Sequence, residues 1–175
     1  MSFIQLGQLE VDLAKLRTFI VRAKKNCYAG EGEETRLADG SKCLVFQDGD
    51  FYYTDNYDGY YQAPGTELVR WQRADGQRIW QMSYSGGMLS PNFWNFAHET
   101  YEFLKKTLTQ ISPEKPFRGP EPGFREGDFE YFASTDTSEC LWGENFTRFA
   151  GREKIEYKDT TVFSQDYVGG LVIPK

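Results

Sequence analysis

The sequence predicts an α+β protein in which two helix-strand-strand-strand units form one curved antiparallel sheet, with two helices on one face and a pseudo-two-fold axis between the halves. Three observations carry that expectation: a block of residues that recurs, an apolar helical stripe ahead of each copy, and period-two alternation broken by turn residues. Residues 1–175 read as a single domain, with a first half over about 8–88, a second over about 90–175 and a Pro-rich connector at 112–123.

The first helix rests on Leu9, Leu13, Leu16, Ile20 and Ala23 at helical spacing, with Glu10 and Asp12 early and Arg22, Lys24 and Lys25 late to complement the macrodipole. The recurrent block follows it. Phe46-Gln47-Asp48-Gly49-Asp50-Phe51-Tyr52-Tyr53 returns as Phe124-Arg125-Glu126-Gly127-Asp128-Phe129-Glu130-Tyr131. Next, Gly65-Thr66-Glu67-Leu68-Val69-Arg70-Trp71 matches Gly151-Arg152-Glu153-Lys154-Ile155-Glu156-Tyr157. Ile79-Trp80, Tyr84 and Gly86-Gly87 then match Val162-Phe163, Tyr167 and Gly169-Gly170. Insertions fall between blocks, where Asp75-Gly76 and Lys158-Asp159 are placed to turn hairpins, and Asp48-Gly49 within the first block is a further hairpin signal. The second helix starts at Ser90-Pro91, a capping hydroxyl followed by proline, and carries Phe93, Ala97, Tyr101, Leu104 and Leu108 on one face. The connector 112–123 holds Pro113, Pro116, Pro120 and Pro122, so it is expected to be stiff and extended.

Composition narrows function by exclusion. Twenty Lys+Arg stand against 26 Asp+Glu, a formal charge of −6, which argues against nucleic acid because phosphate binding needs clustered cations. No apolar run is long enough for a membrane span and no signal peptide is evident, so a cytoplasmic location is expected. Cys27, Cys43 and Cys140 are odd in number and lack Cys-x-x-Cys spacing, which suggests reduced thiols and no metal site. Asn145-Phe146-Thr147 is a chance match to the glycosylation sequon in that setting. No cofactor is indicated.

Alternation places Glu153 with Gly151, Ile155 and Tyr157 on an apolar face, opposite Arg152, Lys154, Glu156 and Lys158. Glu67 shares a face with Gly65, Val69 and Trp71 in the same way. A carboxylate among aromatics must be paired, hydrogen-bonded or protonated. The residues therefore point either to structural glutamates or to a cleft lined by Tyr53, Glu67, Trp71, Trp80 and Tyr84, joined by Glu153, that holds an apolar or cationic small molecule. A small hydrolase using Glu, Tyr and His98, and a protein-interaction module, are the alternatives; no catalytic residue is assigned. His98 is expected to be partly buried on the second helix. The acidic string Asp48, Asp50, Asp55 and Asp58 fails the EF-hand spacing and reads as solvated turns.

Several blocks together resemble a known family. They are the run from Phe19 to Gly30, Gly49-Asp50-Phe51-Tyr52-Tyr53-Thr54-Asp55, Gly65-Thr66-Glu67, Ile79-Trp80-Gln81-Met82-Ser83-Tyr84, Phe117-Arg118-Gly119-Pro120 and Tyr167-Val168-Gly169-Gly170. They look like an uncharacterised bacterial and archaeal domain of unknown function, found alone or attached to helix-turn-helix regulators. The resemblance spans nearly the whole chain and transfers no activity, although it implies a sensing role with a regulator as partner. A looser analogy of design links the two halves to the duplicated effector-binding domains of multidrug-responsive regulators.

Overall fold

The computed structural model describes residues 3–28, 34–138 and 146–175; Cys140 and Asn145 lie outside them. A hairpin of β1 (Phe3–Leu6) and β2 (Leu9–Asp12) leads into α1 (Leu13–Tyr28). The strand at Leu9–Asp12 corrects the expected start of the helix. Leu9 and Val11 satisfy alternation as well as Leu9 and Leu13 satisfy helical spacing, and the left-handed Gly7 turns the chain back on β1. Asp12 then caps α1, its Oδ1 accepting from the amides of Ala14 at 2.9 Å and Lys15 at 3.3 Å.

A first meander follows a short β3 (Thr35–Arg36) and consists of β4 (Lys42–Asp48), β5 (Phe51–Tyr57), β6 (Gly65–Trp71) and β7 (Arg78–Met88). Ser90 accepts a hydrogen bond from the Asn92 amide to open a 3-10 turn at Pro91–Phe96, which runs into α2 (Ala97–Leu108). The second meander is β8 (Gly123–Glu126), β9 (Phe129–Asp136), β10 (Arg148–Tyr157) and β11 (Thr160–Leu171). All belong to one nine-stranded antiparallel sheet in the order β3-β4-β5-β6-β7-β11-β10-β9-β8, so the meanders meet along β7 and β11, where Tyr84 is opposite Tyr167.

Alternation sends Phe51, Tyr53 and Asp55 of β5 to the same face as Glu67 and Val69 of β6 and Trp80, Met82 and Tyr84 of β7. The face continues through Tyr167 and Gln165 of β11, Glu153 and Ile155 of β10, and Tyr131 of β9. Leu13, Leu16, Phe19, Ile20 and Ala23 of α1 pack with the first meander, and Phe103, Leu104 and Leu108 of α2 pack with the second. Gly65 and Gly151 serve this layer by being small: a Cβ at either would collide with the ring of Tyr84 or Tyr167 respectively. Among the described residues, no helix is long and apolar enough to cross a membrane.

Candidate functional site

Five charged side chains are buried together under α1 and α2. Glu67 and Glu153 are 0% exposed, Asp55 1%, Lys24 0% and Arg118 3%. The sheet register dictates part of this arrangement, because Asp55 and Glu67 are directly opposed on β5 and β6 and so point the same way. Lys24 arrives from the inner stripe of α1, one turn after Ile20, and is not the solvated end-of-helix cation its position in the sequence suggests. Arg118 comes from the segment between α2 and β8. That connector is not merely a spacer, since Pro116, Phe117, Arg118 and Gly119 are all buried.

Arg118 bridges the two glutamates, its guanidinium reaching Glu153 Oε1 at 3.0 Å and Glu67 Oε1 at 3.2 Å while lying 4.7 Å over the Tyr84 ring. Lys24 Nζ lies 2.8 Å from Glu67 Oε2 and also donates to the Phe117 carbonyl. Burial pulls the Lys24 ammonium below its ordinary pKa, against the pull of Glu67. Burial also works against charge on Arg118, but Glu153, Tyr28 and Glu67 together hold it well above its ordinary value. Glu153 is completed by the Tyr131 hydroxyl at 2.7 Å and the Gln165 amide at 3.0 Å.

Asp55 differs from both glutamates. Its Oδ1 accepts from Tyr84 and its Oδ2 from Tyr28, each at 2.8 Å, and no lysine or arginine among the described residues is in ion-pair contact with it. Burial, then the Glu67 carboxylate across the strand pair, raise its pKa from 3.8 to about 6, opposed by the two tyrosine hydrogen bonds and by Arg118. Burial first and the Asp55 charge second push both tyrosine hydroxyls well above their ordinary range, so they remain donors. Asp55 therefore corrects the reading of a solvated turn: it falls in step with Phe51 and Tyr53 on the inner face of β5.

Above Asp55 opens a cleft of about 400 Å³ between the first meander and α2. Asp55, Tyr84, Arg118 and Gln165 reach it from the sheet side, and Tyr28, Tyr57, Tyr60 and Tyr101 supply aromatic wall together with Leu44, Leu104 and Leu108. At its mouth Tyr60 packs on Tyr61 and Tyr101, and the Tyr101 hydroxyl donates to the backbone carbonyls of Tyr60 and Tyr61. Two further carboxylates line the cleft, and each has a lysine: Glu34 with Lys42 at 3.6 Å and Glu102 with Lys105 at 2.9 Å. His98, expected to be partly buried, is exposed on α2 at the rim. Cys27 also borders the cleft, but burial pushes its thiol up to about 12, so it is no thiolate nucleophile. No group of three or more His, Cys, Asp or Glu among the described residues is arranged to hold a metal ion.

Of the six residues anticipated for a cleft, Tyr84 borders it. Glu67 and Glu153 lie in the ionic layer, joined through Arg118. Tyr53 is fully buried in the core, as is Trp80, which stacks between Phe146 and Phe149. Trp71 is half-buried at the far end of β6 against Phe51. Alternation could have found Asp55 by the same reasoning that found Glu67, and Tyr28 and Lys24 continue the stripe of α1. Only the run Phe117-Arg118-Gly119-Pro120 drew attention to Arg118.

The topology and the buried cluster define an α+β sheet protein with an ionic layer beneath an aromatic cleft. The chain belongs to the family described as Domain of unknown function (DUF5680), which it matches over residues 55–172, a stretch that begins at Asp55 and includes Glu67, Tyr84, Arg118 and Glu153. Comparisons with curated proteins and with solved structures find no match.

Proposed function

We propose that the protein is a small-molecule binding module whose cleft takes an organic cation. One observation carries this reading: of the carboxylates lining the cleft, Glu34 and Glu102 have lysine partners and Asp55 has none among the described residues. Burying a carboxylate opposite a second one costs stability, and such conflicts between local preference and fold belong at functional sites. The tyrosine walls favour a cation over a neutral guest by their ring quadrupoles.

We also read the two meanders as copies of one unit. Gly65, Glu67 and Val69 stand to Tyr84, Met82 and Trp80 on one side, and Gly151, Glu153 and Ile155 to Tyr167, Gln165 and Phe163 on the other. Irregular pairing falls after Val69 in one and after Ile155 in the other, and Tyr84 faces Tyr167 where a pseudo-two-fold axis would pass. On this reading Asp55, the carboxylate that borders the cleft without a lysine among the described residues, is present in one copy only, since Ala133 stands across from Glu153 in the other.

Thermal denaturation at about pH 8, in the presence of small organic cations and of their neutral counterparts, tests the proposal. A cation at a hundredfold its Kd adds about 2.7 kcal/mol to the stability of the native state. Wild type should respond to cations and Asp55→Asn should not, while remaining folded. An equal response in Asp55→Asn, or a response to neutral compounds alone, would refute the reading.

A further inference from the structure

We infer that the ligand is a monocation with N–H bonds to give, a protonated primary or secondary amine on an apolar body, whose ammonium docks on Asp55. The inference rests on the organic-cation reading above and narrows it by three observations.

The first is a count of charges. Among the described residues the buried layer contains Asp55, Glu67 and Glu153 against Lys24 and Arg118, three negative charges against two positive. Arg118 is committed to Glu67 and Glu153, and Lys24 to Glu67 and the Phe117 carbonyl, so neither cation is free to turn toward Asp55. A single positive charge balances the layer. A dication finds no second vacancy, because Glu34 and Glu102 are matched by Lys42 and Lys105.

The second concerns hydrogen-bond capacity. An ionised carboxylate offers about four acceptor sites, two on each oxygen. Tyr84 occupies one on Oδ1 and Tyr28 one on Oδ2, which leaves each oxygen able to accept once more. Both tyrosine hydroxyls donate to Asp55, and that of Tyr28 also lies 3.3 Å from Glu67 Oε1. An ammonium with N–H groups can use the free acceptor sites, and a charge-assisted bond there is stronger than a neutral one. A quaternary ammonium brings the same charge with no donor and leaves them unused.

The third is the wall. Leu44, Leu104 and Leu108, with the tyrosine rings, offer an apolar surface beyond the carboxylate, and the volume of about 400 Å³ is at the small end of ligand sites. A hydrated inorganic ion would leave that surface unfilled.

Isothermal titration at about pH 8 with a matched set decides the matter: 2-phenylethylamine, its N,N,N-trimethyl derivative and 2-phenylethanol, repeated with n-butylamine and tryptamine and their corresponding trimethyl and hydroxyl analogues. The expected result is that an amine binds at least about tenfold more tightly than its trimethyl and hydroxyl counterparts, a difference of about 1.4 kcal/mol, and that Asp55→Asn abolishes the preference. A trimethyl derivative that binds as tightly as its amine overturns the inference and leaves the organic-cation reading standing. An alcohol that binds as tightly as its amine overturns both, as does the absence of binding by every member of the set at millimolar concentration. The comparison among compounds on wild type does not depend on how any variant folds.

Discussion

Glu67 and Glu153 each lie on the third strand of a meander, two residues after a glycine paired with a tyrosine, and the residue across the strand pair distinguishes them. Opposite Glu153 stands Ala133; opposite Glu67 stands Asp55. In the second meander the glutamate is enclosed by Arg118, Tyr131 and Gln165 and has no charged neighbour of its own sign across the strand pair. In the first, a second carboxylate occupies the alanine's place. The Tyr53 hydroxyl makes no hydrogen bond among the described residues, whereas that of Tyr131 donates to Glu153. A buried cluster can therefore be closed and structural at one end and open, short of one positive charge, at the other. The comparison separates a glutamate that holds the fold from a carboxylate the fold holds under tension.

The hardest test of that comparison removes the group both ends share. Arg118→Met leaves Glu153 with no cation and Glu67 with Lys24 alone, and should cost about 3–5 kcal/mol in urea denaturation. A loss under about 1 kcal/mol would mean that the bridge contributes little.

Next, Glu153→Gln should destabilise by about 3 kcal/mol, and Glu67→Gln by clearly less, because the second change also relieves the repulsion on Asp55. The same denaturation experiment ranks them. If Glu67→Gln proves the more costly, the first meander is not the strained one.

A gain of stability is expected at the open end. A carboxylate whose pKa is raised on folding favours the native state fully below 3.8 and loses that contribution as pH climbs through about 6. Asp55→Asn should therefore be more stable than wild type by ~1–3 kcal/mol at about pH 8, with the difference closing toward about pH 4. The groups that set this titration are Glu67, Tyr28, Tyr84 and Arg118, with Lys24, Cys27, Cys43 and Tyr57 also coupled to Asp55. Urea midpoints of the two proteins across that pH range should converge at the acid end. Parallel curves would show that Asp55 is not under strain.

The smallest effect belongs to the mouth of the cleft. Tyr101→Phe deletes the hydroxyl that holds the Tyr60 and Tyr61 carbonyls, and should cost about 0.5–1.5 kcal/mol or less while speeding amide exchange at residues 58–63. Exchange that is unaffected would place control of the mouth elsewhere.

Period two makes much of the inner face legible in the sequence. It set Glu67 with Val69 and Glu153 with Ile155, and Ser90-Pro91 marked the turn into α2. Asp55 is hidden because along the chain it falls in with Asp48 and Asp58, and only across the pleat does it align with Tyr53. Lys24 escaped because a lysine near the end of a helix has a ready explanation in the macrodipole, and burial of a lysine needs a partner that only tertiary structure supplies. Arg118 has no periodicity to betray it. It sits in a proline-rich stretch whose path depends on what α2 and the sheet leave open.

The bridge made by Arg118 has a consequence for how the chain acquires its shape. The arginine is encoded after the whole first meander, yet Glu67 in that meander needs it, and so does Glu153, encoded still later. Until the segment around Phe117 has docked, Glu153 lacks the Arg118 cation and Glu67 has Lys24 alone. The ionic layer thus ties both meanders and the segment between them into one contact, so these three parts of the chain are expected to lose their order together when the protein is denatured.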